Sequence, residues 1–151
     1  MSYALNNAQN HPTPLKDFYT GLEEYVDEVC VSAYNLCGAA YNKNRPLRDS
    51  LTTWYNQVST FTGPNMPLCI SEMSSTGTCP GKDEWITDTW KDLATRFTRI
   101  STVNWLLQNK SYNGTPRDWD LNKPSDVTAF VDGFKDFKQI TRPRKLLEAG
   151  N

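Results

Sequence analysis

Apolar residues recur along the chain in two alternating patterns, one typical of strands and one typical of helices. Short apolar runs of strand length, bounded by turn residues, occur at residues 26–33, 68–73 and 100–107. Between and after these runs, apolar residues recur at spacings of three and four, which indicates amphipathic helices. The helical segments are residues 48–61, 82–97 and 124–137. This alternation predicts parallel βα units and therefore an α/β fold.

The remaining segments complete the predicted organisation. Residues 2–5 resemble the end of a further strand, and the polar segment 108–121 predicts a long loop. Residues 141–151 predict a loosely attached tail, which leaves one domain over residues 1–140. A single domain is what a chain of 151 residues favours.

Glu72 is the charged residue at the end of the apolar run 68–73. It is followed by small polar residues and then by Gly77. A charge on a buried strand is costly unless it faces a site, and a carboxylate where a parallel strand ends is typical of a catalytic residue. Glu72 is therefore the first candidate for chemistry. The alternative interpretation is a strand-end carboxylate that faces only water.

Composition narrows the function classes. The net charge is −1 and the pI is about 5.8, so the sequence does not predict nucleic-acid binding. There is no run of 18 apolar residues, so no membrane span is predicted. His11 is the only histidine, which excludes a histidine-cluster metal site. No metal and no cofactor are predicted.

Aromatic residues make up 12% of the chain, and aromatic faces serve both as core material and as platforms for sugar rings. Trp85, Trp90 and Phe97 lie on the predicted apolar face of one helix, so we assign them to the core. For Trp54 and Trp119 both interpretations remain open.

Four cysteines allow three full pairings, and the absence of a CxxC motif argues against a structural zinc site. Cys37 and Cys79 lie in loops after neighbouring predicted strands, so a Cys37–Cys79 disulfide is expected. Cys30 and Cys69 lie inside predicted strands, so we expect packed thiols there.

Two N-glycosylation sequons lie close together, at Asn109 and Asn113. Together with the cysteines they favour an oxidising compartment, and we expect a secreted or extracellular protein. The segment after Met1 contains no apolar signal region, so a signal is expected to have been removed or to lie in a longer product.

Six short fragments, taken in order, resemble glycoside hydrolase family 26, which includes β-mannanases and related β-glycanases. The resemblance extends from about residue 2 to residue 137. The fragments are Asp17-Phe18-Tyr19-Thr20-Gly21, Tyr25-Val26-Asp27, Ser32-Ala33-Tyr34-Asn35, Pro67-Leu68-Cys69-Ile70-Ser71-Glu72-Met73-Ser74-Ser75, Trp85-Ile86 and Val103-Asn104-Trp105.

This resemblance implies the C-terminal half, strands five to eight, of a (β/α)₈ TIM barrel. It also implies that Glu72 is the nucleophile, that Tyr34 orients the Glu72 carboxylate, and that Trp105 is the aromatic floor beneath the reacting sugar. The implied substrate is a β-linked polysaccharide or oligosaccharide. The acid/base glutamate of the family ends the fourth strand, which is expected to precede Met1.

Other carboxylates fit the chemistry less well. Asp27 and Glu28 lie at the start of a predicted strand, on the face that serves stability in such barrels. Asp118 and Asp120 lie in the predicted loop after the last strand, so one of them could reach a cleft. Neither matches the acid/base position that the resemblance implies.

Two function classes therefore remain. The chain is expected to be either the nucleophile-bearing half of a retaining β-glycanase or a non-catalytic carbohydrate-binding or structural subunit of an extracellular assembly. Because a half-barrel exposes two strand edges and an apolar inner face, we expect a second polypeptide or self-association to complete it.

Overall fold

The computed structural model describes residues 1–4, 13–38 and 42–140 of the chain. His11 and the predicted tail, residues 141–151, lie outside these described ranges. The described residues form a mixed α/β structure with a four-stranded parallel sheet and three α-helices.

The parallel sheet has the simple strand order β1-β2-β3-β4. Each strand continues the sheet beside its predecessor, and helices connect β2 to β3 and β3 to β4, as in successive βα units. The strands are β1 (Ser2–Ala4), β2 (Val29–Asn35), β3 (Leu68–Ser75) and β4 (Ile100–Trp105).

The strand bounds differ from the predicted ones at several ends. β2 begins at Val29 rather than at residue 26, because Val29 is the first residue paired with Leu68 and the preceding Asp27 and Glu28 are exposed. β3 continues to Ser75, two residues beyond the predicted end, because its last residues pair with the end of β2. Runs of apolar residues indicate where a strand lies, whereas pairing with the neighbouring strands determines where it begins and ends.

Helices lie on one face of the sheet, and the last of them packs mainly against the helix before it. A short 3₁₀ helix, Leu15–Phe18, precedes β2. The α-helices are α1 (Leu47–Phe61), α2 (Lys82–Thr95) and α3 (Pro124–Ile140). Their apolar stripes and the inward residues of the strands form one buried cluster. Trp54, Trp85, Trp90 and Phe97 belong to this cluster, so they are core residues.

The opposite face of the sheet, here called the open face, carries small or polar side chains. It comprises Ser32, Ser71, Glu72, Thr102 and Asn104, none of which belongs to the buried cluster. The prediction of an uncovered apolar inner face is therefore wrong for the described sheet. Its open face is polar enough to contact water.

The prediction of a long polar loop over residues 108–121 is also wrong. This segment contains an antiparallel hairpin formed by β5 (Asn109–Tyr112) and β6 (Thr115–Asp118). The two-residue turn is Asn113-Gly114, and both residues have positive φ, 49° and 74°. Asn-Gly favours this hairpin turn because both residues tolerate the left-handed region.

Two disulfides cross-link the described strands and loops. One joins Cys37 to Cys79, the pair named from the sequence. The other joins Cys30 to Cys69, so the prediction of packed thiols at these positions is wrong. Cys30 and Cys69 are direct register partners on β2 and β3, and their Cα atoms lie 4.4 Å apart, which is within disulfide reach.

Gly133 allows α2 and α3 to approach each other closely. A Cβ atom at this position would overlap the side chain of Trp90 on α2. We expect Gly133→Ala to lower the free energy of unfolding, because overpacking costs about 1–3 kcal/mol and the gain in helix propensity is only about 1 kcal/mol.

Urea unfolding measures this effect, with Thr128→Ala as the control at an exposed position on the same helix. The control substitution should change stability by no more than about 0.5 kcal/mol. A Gly133→Ala protein more stable than the wild type would contradict the close packing described here.

Candidate active site

A one-residue bulge in β3 places Glu72 on the open face. Val31 of β2 pairs with Ile70, but the next residue, Ser32, pairs with Glu72, so Ser71 is the extra residue. Strict alternation from the buried Ile70 would turn Glu72 toward the core. With the bulge, Ser71 and Glu72 both leave the core, and Met73 returns to it, fully buried.

Tyr34 of β2 holds the Glu72 carboxylate from the neighbouring strand. The Tyr34 hydroxyl donates a hydrogen bond of 2.6 Å to Glu72 Oε2. A phenol that donates to a carboxylate forms a short, charge-assisted hydrogen bond. This contact fixes one carboxylate oxygen, while the Glu72 side chain remains exposed on the open face.

The same surroundings raise the pKa of the Tyr34 hydroxyl above its ordinary value. Burial is the largest cause, followed by the hydrogen bond to Glu72 and the negative charge of that carboxylate. All three disfavour a phenolate beside Glu72. Tyr34 is therefore a neutral hydrogen-bond donor throughout the physiological pH range.

The structure does not bring Trp105 to Glu72, and a role for Trp105 beneath a reacting sugar stays a prediction. Trp105 is the register partner of the buried Met73, which lies on the helix side of the sheet. Its ring stacks on Trp90 at 5.9 Å and meets Phe130 edge-on at 5.0 Å. Trp105 therefore joins the packing between β4 and the helices.

Trp119 packs against Tyr34, the residue that bonds Glu72. Its ring centroid is 5.0 Å from that of Tyr34, and only 2% of Trp119 is exposed. The sequence did not distinguish this role from ordinary core packing. The available signal was the Asn113-Gly114 hairpin turn, because the hairpin carries the chain back over the end of β3.

The loops that follow β2 and β3 are joined beside this pair. The Cys37–Cys79 disulfide links them covalently, and the amide of Thr76 donates to the carbonyl oxygen of Asn35 at 3.1 Å. The Thr78 hydroxyl donates to the carbonyl oxygen of Cys37 at 2.7 Å. These bonds make the carboxyl ends of the two strands one cross-linked unit.

The buried Asn35 side chain connects the same loops. Its amide nitrogen donates to Asn44 Oδ1 and to Ser75 Oγ, each at 2.8 Å. Its oxygen accepts from the amide of Arg45 at 3.1 Å. Because every polar atom of this amide is satisfied, the network is a stable anchor beside Tyr34.

The other acidic candidates serve different contacts. Asp118 accepts hydrogen bonds from the Asn122 side chain and from the amide of Asp120. The Asp120 carbonyl oxygen accepts a bond of 2.5 Å from the buried Lys82 ammonium group, whose pKa is lowered by burial despite the neighbouring aspartates. Asp118 and Asp120 therefore anchor the loop after the hairpin.

Glu28 illustrates why proximity alone does not make a metal site. Its carboxylate lies within 4.8 Å of the sulfur atoms of Cys30 and Cys69, a spacing that suits metal ligands. Both sulfurs are consumed by the disulfide and carry no thiolate charge. Glu28 also precedes β2, so it lies at the opposite end of the strand from Tyr34.

The two sequon asparagines lie on the β5–β6 hairpin. Asn109 begins β5 and Asn113 forms the turn, and both residues are exposed. In addition, no helix within the described ranges has the length and apolar character needed to cross a membrane.

Comparison of the chain with known proteins finds no matching family model and no matching curated sequence.

Loss of the Cys37–Cys79 bridge should destabilise the protein. The bridge closes a loop with a sequence separation of 42, for which chain entropy predicts about 4 kcal/mol. Urea unfolding of Cys37→Ala/Cys79→Ala measures the loss. Cys30→Ala/Cys69→Ala is the matched comparison, because its separation of 39 predicts a similar value. A loss below about 1 kcal/mol for Cys37→Ala/Cys79→Ala would contradict this expectation.

Glu72→Gln should lower the pKa of Tyr34 by removing the negative charge and weakening the hydrogen bond. Burial remains, so the pKa should stay above the ordinary tyrosine value of about 10. NMR titration of ring-labelled tyrosine, with the Tyr34 signal identified by Tyr34→Phe, measures the change. Glu24→Gln, at an exposed position away from Tyr34, is the control. An identical Tyr34 titration in Glu72→Gln would argue against the hydrogen bond.

The raised pKa also has a consequence for stability. The folded state holds the Tyr34 proton more tightly than the unfolded chain, so this stabilisation is complete below about pH 10 and is lost as the pH rises above that value. Unfolding followed from pH 9 to pH 12 should therefore show a shallower decline in Glu72→Gln than in the wild type.

Proposed function

We propose that this chain carries the nucleophile of a retaining β-glycanase of the mannanase type, acting on a β-linked polysaccharide. The observation that carries the proposal is the 2.6 Å hydrogen bond from Tyr34 to Glu72 near the carboxyl ends of two adjacent parallel strands. Carboxylates at this end of parallel strands are typical of catalytic residues in barrel enzymes. In this proposal β1 to β4 correspond to strands five to eight of a (β/α)₈ barrel.

Glu72 performs the first chemical step. One carboxylate oxygen attacks the anomeric carbon, and the bond from that carbon to the leaving oxygen breaks. Tyr34 keeps its proton and donates to the carboxylate, so it restricts the rotation of Glu72. Water then cleaves the glycosyl ester and regenerates the carboxylate.

A second carboxyl group is needed to protonate the leaving oxygen, and this step contributes about 10²–10⁴-fold to the rate. In the barrel correspondence this group belongs to the fourth strand, outside β1 to β4. A second polypeptide or a further segment would supply it. Strands β1 and β4 each have one unpaired edge in the described sheet, where further strands can add.

An exposed apolar stripe on α3 supports such a partner. Val127, Val131 and Phe134 recur at helical spacing, and each is 42–44% exposed. Further helices of a completed barrel would cover apolar residues of this kind. We therefore include a partner that completes the barrel in the proposal.

The second candidate function is a non-catalytic carbohydrate-binding or structural subunit. The polar open face favours it, because Ser32, Ser71, Thr102 and Asn104 can hydrogen-bond a sugar without any chemistry. This alternative predicts binding of oligosaccharide with no covalent adduct on Glu72.

Secretion is part of either proposal. Two disulfides are typical of proteins from an oxidising compartment, and exposed sequons on the hairpin are suitable acceptors for N-glycans. Glycans at Asn109 or Asn113 would extend from the hairpin into solvent.

A covalent trapping experiment tests the nucleophile without needing the acid/base residue. A dinitrophenyl β-mannoside or β-glucoside releases a stable phenolate, so its leaving group requires no proton. Glu72 should form a glycosyl ester that accumulates, because no positioned base activates water. Intact-mass spectrometry detects the adduct, peptide mapping locates it, and azide should release it as a glycosyl azide.

Two variants make the experiment decisive. Glu72→Gln should form no adduct, whereas Glu24→Gln, which changes an exposed carboxylate elsewhere, should react like the wild type. Binding of manno- or gluco-oligosaccharide without any adduct would favour the non-catalytic subunit. An adduct on a different carboxylate would exclude Glu72 as the nucleophile.

A further inference from the structure

Residues 118–120, at the end of the β5–β6 hairpin, are held across the end of β3 by hydrogen bonds. The Ser74 hydroxyl, two residues beyond Glu72, donates to the carbonyl oxygen of Trp119 at 3.1 Å. The amide of Gly77 donates to the carbonyl oxygen of Asp118 at 2.7 Å. A Cβ atom at position 77 would lie 2.7 Å from Asp118 Oδ2, so a larger residue there would require the Asp118 carboxylate to shift.

The far end of this segment is fastened as well. The ammonium group of Lys82, the first residue of α2, donates to the carbonyl oxygen of Asp120. The backbone of residues 118–120 is thus held at each of its three positions, twice by β3 and its loop and once by α2. These bonds hold the backbone from which the Trp119 side chain reaches Tyr34.

We propose that Trp119 is a positioning residue that holds the Tyr34 ring so that its hydroxyl stays on the Glu72 carboxylate. The ring centroids of Trp119 and Tyr34 are 5.0 Å apart with an interplanar angle of 51°, which is an ordinary attractive aromatic contact. The inference rests on the proposed function only for its effect on the rate of covalent reaction.

Direct contact between Trp119 and a sugar is a poorer explanation. Trp119 is 2% exposed, so neither face of its indole ring is available as a platform for a sugar ring. Tyr34, in contrast, is only partly buried and bonds directly to the exposed Glu72. An indole buried behind the tyrosine acts on the carboxylate through the tyrosine.

The positioning role predicts coupling among the three side chains. In the wild type, Glu72→Gln should shift the Tyr34 ring-carbon signal, because the hydroxyl is on the carboxylate. In Trp119→Ala, the same Glu72→Gln change should shift that signal much less, because the ring is free to leave the carboxylate. This comparison uses NMR without substrate, so it remains informative if Glu72 proves not to be a nucleophile.

The rate of covalent trapping gives the second readout. Trp119→Ala should slow adduct formation about 10-fold to 10²-fold, the loss expected from a misplaced reacting group. Trp119→Phe, which keeps an aromatic ring at this position, should recover most of the rate. In a Tyr34→Phe background, Trp119→Ala should cost little more, because both changes remove the same hydrogen bond.

Two further variants separate positioning from general instability. Trp54→Phe alters a core tryptophan that is 1% exposed, and it should leave the Tyr34 signal and the trapping rate unchanged. Ser74→Ala removes the hydrogen bond from Ser74 to the Trp119 carbonyl oxygen. It should change the Tyr34 signal and the trapping rate in the same direction as Trp119→Ala, but less. This variant keeps the inference testable if Trp119→Ala does not fold. The inference would be overturned if Trp119→Ala slowed covalent trapping equally with Tyr34 and with Phe at position 34. It would also be overturned if Glu72→Gln shifted the Tyr34 signal in Trp119→Ala as much as it does in the wild type. If Trp119→Ala does not fold, Ser74→Ala takes its place in this second comparison.

Discussion

The extra residue in β3 is the constraint on which the candidate site depends. A parallel strand between two others has one face against the helices and one face away from them, so alternation decides the side of every residue. Ile70 and Met73 are both fully buried although they are three residues apart. Because Ser71 is an extra residue in the strand, both Ile70 and Met73 can face the helices. The same bulge turns the Glu72 carboxylate, which would otherwise be buried in the core, toward the open face.

The proposed chemistry needs Glu72 on the open face, and the neighbouring strand and loops restrict the motion of this side chain. Tyr34 contacts the carboxylate, Trp119 contacts Tyr34, and the Cys37–Cys79 bridge joins the loops beyond both strands. Each contact joins parts of the chain that are distant in sequence. The arrangement keeps Glu72 and Tyr34 on strands of the sheet, which would hold the geometry of the proposed site better than mobile loops do.

Periodicity predicted the α/β class and all three helices, because helix–sheet packing leaves a repeating apolar signal in α1, α2 and α3. The apolar run also located Glu72 on β3, although the strand continues beyond it to Ser75. The bulge was not predictable, since Ser71 has no property that marks it as an extra residue. The same limit applies to Cys30 and Cys69, whose bond follows from register, and to Trp105, whose side of the sheet depends on that register.

The β5–β6 hairpin was missed for a different reason, because the sequence does contain a signal for its turn. Asn113-Gly114 is a strong turn pair, but the flanking residues are polar and lack the apolar alternation that usually marks strands. The hairpin is stabilised by its own pairing and by the anchors of residues 118–120, so burial of its strands is not required. As a result, a segment whose sequence resembles a solvent-exposed loop brings the indole ring of Trp119 against Tyr34.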